Sequence, residues 1–413
     1  MSNRVVITGM GTISPIGLDV ESTWESLLAG RSGIDYITLF DASQHETKIA
    51  GEVKGFDPNQ YIDRKEVRRM DRFTHFAIAA AVQALKQAGL TIGPDNADDI
   101  GCVIGAGIGG LTTLSSAFET LAERGPGRLS PFLCTMYIPD IAAGQIAIMF
   151  GLRGPNFCIV SACASGASAI GEAYEIVRRG DAVVMVAGGA EAAITPIAIG
   201  AFNAMRAISP RNDPPQKASR PFDIGRDGFA ISEGAGVVIL ENLDHALARG
   251  ATILAEVAGY GASADACHVT APPDGGAGAA LAMARALRKA GLQPTDIDYI
   301  NAHGTSTPLN DKNETLAIKS VFGPHAYRIP ISATKSMTGH MFGATGAVEV
   351  VICVKVINEE IIPPTINLDN PDPECDLDYV PHVARKATVR TAMTNSFGFG
   401  GHNACLIIRR FEG

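Results

Sequence analysis

Short apolar runs alternate along the chain with segments in which apolar residues recur every three or four positions. The runs at residues 5–7, 100–105 and 157–160 predict buried strands, because a strand covered on both faces shows no polar alternation. The helical spacing before Gly89 and Gly291 predicts two helices, each ended by a glycine that can take the left-handed conformation. Strands that alternate with helices in this way predict a layered α/β fold.

Two pairs of segments recur in the same order along the chain, which indicates an internal duplication. In the first pair, a helix precedes a strand that reaches a glycine. In the second pair, a strand leads into a Gly-Ala-Ser or Gly-Ala-Thr triplet and then a helical glutamate, Glu172 in one case and Glu349 in the other. The matched segments are residues 100–105 with 297–304, and residues 166–172 with 343–349. A spacing of about 200 residues is too long for a solenoid repeat, so the pattern predicts two related halves.

The duplication predicts one half at residues 3–249 and a second at residues 250–411, together forming one catalytic domain. The second half is expected to begin with a strand at residues 252–258. If a pseudo-twofold axis relates the halves, the strand ends near Cys163 and His303 meet between them. Clefts of this kind are common ligand sites.

Composition and charge exclude several classes of protein. The 413 residues are 46% hydrophobic and 19% charged, which predicts a globular protein with a large core. We expect no signal peptide, and no run of about 18 uncharged apolar residues predicts a membrane span. The net charge of −9 argues against nucleic-acid binding.

Cys163 stands out among the cysteines. All eight are scattered without paired spacing, which is typical of a cytoplasmic protein with reduced thiols. The lack of a Cys-x-x-Cys pair argues against a structural zinc site. Cys163, however, follows an apolar run and precedes small residues that open a helix. A thiol there faces the positive end of the helix dipole, which predicts a pKa below the free value of about 8.5 and a nucleophilic thiolate. The alternative is a buried structural cysteine, as most free cysteines are.

Three later segments combine histidine with hydroxyl or turn-forming residues. They are residues 301–308, with His303 at a strand end; residues 334–340, with Lys335 and His340 five residues apart; and residues 394–403, a glycine-rich loop with two phenylalanines. Any one of these histidines is more often structural than catalytic. A cysteine at a helix start with two histidines and a lysine predicts nucleophilic catalysis.

Four motifs, in this order, resemble β-ketoacyl-[acyl carrier protein] synthases of the type II elongating class. They are Ser-Ala-Cys-Ala-Ser-Gly at 161–166, His-Gly-Thr-Ser-Thr-Pro at 303–308, Lys-Ser-Met-Thr-Gly-His at 335–340 and Asn-Ser-Phe-Gly-Phe-Gly-Gly-His-Asn at 395–403. The resemblance covers essentially all of residues 3–411. It implies the thiolase-like fold, a duplicated five-layered α/β/α/β/α arrangement of two related halves, in a homodimer.

The same resemblance implies an activity. It is the decarboxylative Claisen condensation of an acyl thioester with malonyl-[acyl carrier protein], which gives 3-oxoacyl-[acyl carrier protein] in fatty acid chain elongation. Both substrates are carried on the phosphopantetheine of acyl carrier protein. The resemblance implies no cofactor or metal of the protein's own.

Each matching residue takes a role from the resemblance. Cys163 would accept the growing acyl chain as a thioester. His303 and His340 would bind the thioester carbonyl of the malonyl group and promote its decarboxylation, since two N–H donors can stabilise an enolate oxygen in a dry pocket. The backbone N–H groups of Cys163 and Phe399 would form the oxyanion hole, and Lys335 would orient or charge the catalytic site without acting as its base. The supporting carboxylates are Glu349, as the ion-pair partner of Lys335, Asp311 and Glu314.

The resemblance also implies which residues contact the substrates. Thr305 and Thr307 would hydrogen-bond the phosphopantetheine arm. Phe399, in its mobile glycine loop, would gate access to the nucleophile. Ile108 and Phe202 would line the acyl pocket.

Residues 105–110 also match Gly-x-Gly-x-x-Gly between a predicted strand and a helix, which is a weak dinucleotide-binding fingerprint. A Rossmann unit needs an acidic residue at the end of a second strand about 20 residues further on. The chain continues instead as Glu-Arg-Gly-Pro-Gly-Arg at 123–128, which breaks regular structure. We therefore expect no nicotinamide binding.

A basic cluster lies at residues 64–72, where Lys65, Arg68, Arg69 and Arg72 would share one broad helical face. Most such runs are solvated helix faces. Acyl carrier protein is small and strongly acidic, so a docking face is the other interpretation. The candidates for that face are Lys65, Arg68, Arg69, Arg128 and Arg206.

Other interpretations stay open. A polyketide ketosynthase shares every catalytic residue, and a thiolase-like enzyme acting on coenzyme A esters shares the fold, although thiolases use a second cysteine where this chain has residues 397–399. A chain-length-factor-like partner protein would lack the nucleophile. Phe342 stands where the family usually has a small aliphatic residue, so we expect it to alter the acyl pocket and with it the preferred chain length.

Overall fold

The computed structural model describes residues 3–413, whose strands form one ten-stranded sheet and two small sheets. The strands are β1 Val5–Ile13, β2 Asp35–Tyr36, β3 Ile49–Ala50, β4 Ile100–Gly105, β5 Asn156–Ile159, β6 Val184–Glu191, β7 Gly234–Asn242, β8 Ala255–Ala264, β9 Tyr299–Asn301, β10 Ile331–Ser332, β11 Ile361–Ile362, β12 Arg385–Lys386, β13 Thr391–Gly398 and β14 His402–Arg409. The small sheets pair β2 with β3 and β11 with β12.

The α-helices alternate with these strands in both halves of the chain. They are α1 Val20–Leu28, α2 Arg64–Val67, α3 Arg72–Ala88, α4 Leu111–Arg124, α5 Leu133–Tyr137, α6 Ile141–Phe150, α7 Ser165–Arg179, α8 Pro196–Ala204, α9 Leu243–Ala248, α10 Ala277–Ala290, α11 Pro308–Phe322, α12 Lys335–Thr338 and α13 Thr345–Glu359. Across residues 3–413, no helix is both long and apolar enough to cross a membrane.

The large sheet consists of two five-strand units with the same internal order. From the middle outward, one unit runs β1-β7-β6-β4-β5 and the other runs β8-β14-β13-β9-β10. In each unit the three outer strands are parallel and the inner ones antiparallel. The two units join where residues 5–7 of β1 pair with residues 255–257 of β8. The predicted duplication is therefore confirmed strand by strand.

Apolar side chains on the two faces of each unit create five layers. Along β7, Val237 and Ile239 pack with α3 and α6, whereas Val238 and Leu240 pack with α7 and α13. Ile407 of β14 packs in the same way with α10, and residues on its other face pack with α7 and α13. Helices α7 and α13 thus lie between the two units and the remaining helices cover the outside, as the five-layered arrangement requires.

The helix ends agree with the sequence, but one strand begins later than predicted. Gly89 and Gly291 end α3 and α10 in the left-handed region, with φ of 58° and 68°. The first strand of the second half, β8, begins at Ala255 and extends to Ala264, instead of covering residues 252–258. Its length follows from its pairing with β14, which continues until His402 lies opposite Ala264.

The match between the two Gly-Ala triplets is wrong by three residues. Ala162 and Phe342 both have positive φ, 50° and 45°, and each lies three positions before the helix that follows, α7 or α13. Glu349 therefore corresponds to Ala169, and not to Glu172. Small residues line both helix starts because α7 and α13 pack against each other there; a Cβ on Gly166 would lie 2.6 Å from the Gly343 carbonyl oxygen.

Candidate active site

Cys163 lies in a tight turn that leads directly into α7. The turn, Ala162–Ala164, is a single 3₁₀ segment between β5 and the helix. The Ser165 hydroxyl stabilises it by donating to the Ala162 carbonyl at 2.7 Å and accepting from the Ser161 N–H at 2.9 Å. The Cys163 side chain is left 8% exposed, facing a cavity. The predicted strand-to-helix placement of the thiol is confirmed.

The expected lowering of the Cys163 pKa is wrong for the resting site. Burial raises the pKa of the thiol to about 12, and the charge of Lys335 and the backbone N–H groups of Phe399 and Cys163 offset only part of that rise. Desolvation of a fully buried anion can shift a pKa by 3–5 units, whereas a helix terminus contributes about 0.3–1 kcal/mol at the surface. The resting residue is therefore a thiol that must lose its proton during attack.

One cavity of about 360 Å³ collects most of the predicted site residues. Its wall includes Cys163, His303, His340, Thr305, Thr307 and Phe399. These residues follow β5, β9, β10 and β13, whose ends meet between the halves. The thiol, the two imidazoles and the two threonine hydroxyls can thus contact one substrate.

The two histidines are buried and neutral. Their ring centres lie 5.7 Å apart with the ring planes at 87°. Burial lowers the pKa of both His303 and His340 well below the ordinary value, and the charge of Lys335 lowers each pKa further. Each imidazole therefore keeps one N–H donor and one acceptor nitrogen at neutral pH.

The proton position on His340 follows from its neighbour. Nδ1 lies 3.2 Å from the Thr345 hydroxyl, and Nε2 is buried with no hydrogen-bond partner among residues 3–413. When Thr345 donates to Nδ1, the ring proton is on Nε2. His340 then presents an N–H donor to a ligand in the cavity.

Two carboxylates on α11 hold the loop that carries His303. Glu314 accepts hydrogen bonds from the N–H groups of His303 and Gly304, both at 2.8 Å. Asp311 accepts from the N–H groups of Phe222 and Ser306. The predicted supporting residues thus fix the backbone that places the imidazole, and Glu314 also lines the cavity.

Lys335 forms the predicted ion pair with Glu349. The two side chains are almost completely buried, and Nζ lies 2.6 Å from Oε1. Burial raises the pKa of Glu349 to about 7, while the charge of Lys335 lowers it. The pair connects α12 to α13 and puts a positive charge behind the histidines, where it lowers their pKa.

Phe399 occupies the turn between β13 and β14. Its backbone N–H, like that of Cys163, points toward the sulfur. The neighbouring position needs glycine, because a Cβ on Gly398 would lie 2.5 Å from the Ser161 carbonyl oxygen and 3.1 Å from the Cys163 nitrogen. Glycine therefore allows β13 to approach the nucleophile closely enough for two N–H groups to converge.

The turn that carries Phe399 packs against the segment after β8. The sequence did not predict a role for this segment. Gly400 and Gly401 have φ of 87° and 74°. The Gly400 N–H donates to the Val269 carbonyl at 2.6 Å. Asn403 donates to Asp265 at 2.7 Å. These contacts fasten the turn in its present position.

The expected acyl-pocket residues lie beside Cys163 in an apolar cluster. Ile108 and Phe202 belong to the same cluster as the nucleophile, and Phe202 stacks on Phe342 with ring centres 5.2 Å apart. Phe229 meets Phe202 edge-on at 5.6 Å. Within the described part of the chain, the cavity reaches Cys163 and Phe229 but not Ile108 or Phe202. The space beside Ile108 and Phe202 is therefore filled by packed side chains.

The basic cluster does not form one helical face. Asp63 caps the short helix α2 and Asp71 caps a new helix, α3, so residues 64–72 fall on two helices and a linking turn. Arg72 turns inward to the buried Glu233, at 2.7 Å. Arg69 is exposed but pairs with Glu66 at 2.8 Å.

The other predicted docking residues remain exposed. Lys65, Arg68 and Arg128 extend to solvent. Arg206 is also exposed and belongs to the cavity wall, so it lies at the mouth. A negatively charged partner that covers the mouth can therefore contact at least one of the predicted residues.

Sequence reasoning missed Glu191, which fills the glycine-rich loop that follows β4. The Glu191 carboxylate accepts hydrogen bonds from the N–H groups of Gly107, Ile108 and Gly109. Burial raises its pKa to about 7, although these backbone N–H groups lower it. A loop whose N–H groups already bind the protein's own carboxylate does not cradle a phosphate there, which agrees with the rejection of nicotinamide binding. The sequence does contain a signal for Glu191, which is an acidic residue at the end of an apolar strand.

Two family models match the chain. "Beta-ketoacyl synthase, N-terminal domain" matches residues 2–246, and "Beta-ketoacyl synthase, C-terminal domain" matches residues 254–369. Together they include Cys163, His303, Lys335 and His340.

Full-length relatives and a solved structure are also similar. A 3-oxoacyl-[acyl-carrier-protein] synthase 2 from Synechocystis sp. is 53% identical over 409 residues, which cover 99% of this chain and 98% of the relative. The protein of the same name from Staphylococcus aureus (strain COL) is 52% identical, with 100% and 99% covered. A structure of a type II polyketide acyl carrier protein in complex with its ketosynthase bound to the hexaketide aligns with a TM-score of 0.92 and 34% identity, covering 100% of both chains.

Proposed function

The chain belongs to the β-ketoacyl synthase family, and on that basis we propose that Cys163, His303 and His340 carry out its condensing reaction. The enzyme is an acyltransferase with the thiolase-like fold. It joins an acyl thioester to malonyl-[acyl carrier protein], with loss of CO₂, to give 3-oxoacyl-[acyl carrier protein] in fatty acid chain elongation. The assignment of these three residues is carried by one observation: a thiol and two neutral imidazoles line the same cavity.

In the first half-reaction, the Cys163 sulfur attacks the carbonyl carbon of the acyl thioester. The bond from carbon to Cys163 forms, the bond to the phosphopantetheine sulfur breaks, and the thiol proton ends on the departing pantetheine thiol. Because burial keeps the resting Cys163 protonated, a neutral imidazole in the cavity carries that proton. The backbone N–H groups of Cys163 and Phe399 stabilise the tetrahedral oxyanion.

In the second half-reaction, the histidines act on the malonyl group. His303 and His340 donate hydrogen bonds to its thioester carbonyl, and loss of CO₂ leaves an enolate whose oxygen they stabilise. The α-carbon then attacks the acyl carbonyl on Cys163. A carbon–carbon bond forms, the bond to sulfur breaks, and the released thiolate takes up a proton.

Other residues position the substrates. Thr305 and Thr307, whose hydroxyls lie 2.9 Å apart in the cavity wall, hydrogen-bond the phosphopantetheine arm. Phe399 gates access to Cys163, with Gly400 and Gly401 as the hinge of its turn. The acyl chain enters the apolar cluster on the other side of Cys163, between the residues that the sequence assigned to the acyl pocket, Ile108 and Phe202.

Acyl carrier protein docks over the cavity mouth. The proposal is supported by the exposed basic residues Lys65, Arg68, Arg128 and Arg206, with Arg69 contributing less because Glu66 partly neutralises it. Complementary charge of this kind mainly steers and orients a partner.

Reversing two of these charges should weaken carrier-protein binding. We expect Lys65→Glu with Arg68→Glu to raise the KM for acyl-[acyl carrier protein] about tenfold with little change in kcat, since exposed pairs contribute about 0.2–1 kcal/mol each. Arg390→Glu is a matched control, because Arg390 is exposed just before β13, at the opposite end of that strand from Phe399. Steady-state kinetics with a carrier-protein substrate check this; an unchanged KM would exclude this face.

A homodimer would cover an exposed apolar edge. Strand β5 ends the large sheet, and Ile148, Met149, Phe157 and Val160 around it are exposed. A bare edge strand with apolar neighbours is a common pairing surface. We therefore place the dimer contact along β5.

We also propose the limits of the two halves and a cytoplasmic location. A division into residues 3–249 and 250–411 is supported by the gap between the two matched ranges, from 246 to 254. A cytoplasmic location is supported by eight cysteines that are all free, as in a reducing compartment. The proposal includes no cofactor beyond the phosphopantetheine that the substrates bring.

The activity is tested by supplying carrier-protein and coenzyme A thioesters side by side. With hexanoyl- and malonyl-[acyl carrier protein], we expect 3-oxooctanoyl-[acyl carrier protein] and one CO₂ for each product. A protein that condenses only the coenzyme A esters would be the thiolase-like alternative. Products elongated repeatedly without reduction of the 3-oxo group would indicate a polyketide ketosynthase.

A further inference from the structure

Glu191 is a buried carboxylate that the proposed reaction does not use. It ends β6 with no measurable exposure. Its hydrogen bonds all come from backbone N–H groups in the described chain. A buried carboxylate held in this way is costly unless those donors are kept in place. Glu191 therefore ties together the segments that supply them.

Those segments come from different halves of the molecule. In the first half, the N–H groups of Gly107 and Gly109 donate at 2.7 and 2.9 Å, with Ile108 between them at 3.2 Å. From the second half, the Gly343 N–H donates at 3.1 Å to the same oxygen as Gly107. One carboxylate thus joins the loop after β4 to the turn before α13.

Each segment carries one apolar side chain into the cluster beside Cys163. They are Ile108 and Phe342, the latter held at a φ of 45° next to Gly343. The junction between them is tight: a Cβ on Gly343 would lie 2.5 Å from the Gly107 nitrogen. A shift of the carboxylate must therefore move one or both side chains.

We propose that Glu191 is a positioning residue that sets acyl-chain-length selectivity by fixing Ile108 and Phe342 in the apolar cluster beside Cys163. The proposal rests on the proposed function, since it assumes that the apolar cluster receives the acyl chain. Glu191 acts through these two side chains and does not contact the reacting atoms.

The test compares Glu191→Gln with the wild type across acyl chain lengths. Glutamine is similar in size but exchanges one acceptor oxygen for an NH₂ group that faces backbone N–H donors. We expect the ratio of kcat/KM for loading hexanoyl and dodecanoyl chains to change by at least about tenfold, the lower end of the discrimination that one methylene gives in an apolar pocket. Malonyl decarboxylation in a Cys163→Gln background should change less than twofold, because the histidines stay in place.

Glu241→Gln is the matched control. Glu241 is equally buried, but it lies on β7 opposite Val184, at the other end of β6 from Glu191. We expect this variant to lose stability without a change in the chain-length ratio. Amide hydrogen exchange should increase together around residues 107–109 and 343 in Glu191→Gln only.

If Glu191→Gln does not fold, the test uses Glu191→Asp. Aspartate keeps the carboxylate but holds it one methylene further from the backbone N–H donors. A chain-length ratio unchanged in a folded variant would overturn the proposal, as would a parallel loss of decarboxylation and of loading at every length. Failure of the proposed function is distinguishable, because the wild type would then load no acyl chain on Cys163.

Discussion

Cys163→Ser should abolish condensation, with product formation reduced by at least about 10³-fold, as for other removed nucleophiles. A serine hydroxyl is far less acidic than a thiol. The imidazole that takes the thiol proton is a weak base, because burial holds its pKa well below the ordinary value, and it cannot deprotonate a serine hydroxyl as readily. Rates of 3-oxoacyl product formation measure the effect. A Cys163→Ser enzyme that elongates normally would contradict the mechanism.

Cys163→Gln removes the nucleophile and leaves the rest of the site in place. Its amide carbonyl takes the place of the acyl carbonyl, while His303 and His340 keep their contacts. We therefore expect malonyl decarboxylation to persist although no condensation occurs. Release of CO₂ from malonyl-[acyl carrier protein], measured without an acyl donor, distinguishes the two activities.

His340→Ala should have the second largest effect, and it should fall mainly on decarboxylation. Removing one oxyanion donor costs about 10²–10³-fold in rate, and Nε2 of His340 is free of hydrogen-bond partners among the described residues, as a donor to substrate requires. Acyl transfer to Cys163 should fall much less, because we propose that its oxyanion is stabilised by the N–H groups of Cys163 and Phe399, which point toward the sulfur. Single-turnover acylation and CO₂ release, measured on the same variant, give the two rates. Equal losses in both steps would contradict this division of roles.

The pH dependence of decarboxylation follows from the same histidines. Their pKa is lowered by burial first and then by Lys335, so the neutral imidazoles persist as pH falls through the ordinary value of about 6.5. The wild-type rate should therefore stay level between pH 8 and about 6.5 and decline only in more acidic solution. A decline centred on pH 6.5 would indicate exposed histidines.

The convergence of the site residues could be predicted because each follows a strand of a duplicated sheet. Cys163 follows β5, His303 follows β9, Lys335 follows β10 and Phe399 follows β13. The parallel strands β9, β10 and β13 end at the same edge of one unit, which brings His303, Lys335 and Phe399 together. Strand β5 belongs to the other unit, so Cys163 joins them because the two units pack on each other through α7 and α13. The motifs and the duplication were therefore sufficient to predict the fold and the main site.

What could not be predicted depends on packing between distant segments. The pKa of Cys163 rises because the whole cavity wall desolvates its sulfur, which no local pattern reveals. The donors to Glu191 are 84 and 152 residues away in the chain. The predicted alignment of the two Gly-Ala triplets was wrong for a related reason. Small residues line both helix starts, so the sequence allows more than one alignment, and only the positive φ of Ala162 and Phe342 identifies the equivalent positions.

The prediction that the basic cluster shares one helical face was wrong for a local reason that the sequence already contained. Asp63 and Asp71 each precede a helix start and accept a hydrogen bond from it, which is how aspartate begins a helix. Two such caps, eight positions apart, exclude one continuous helical face. Only the exposed part of the cluster remains available to a partner.

The central claim is that Cys163 holds the acyl chain while the histidines prepare the other substrate. The most direct test incubates the protein with acyl carrier proteins loaded with acyl groups of different lengths and locates the modification by mass spectrometry. We expect one acyl group on the peptide that contains Cys163, graded in yield by chain length and lost in Cys163→Ser. Acylation of any other residue, or elongation without a modified Cys163, would contradict the account.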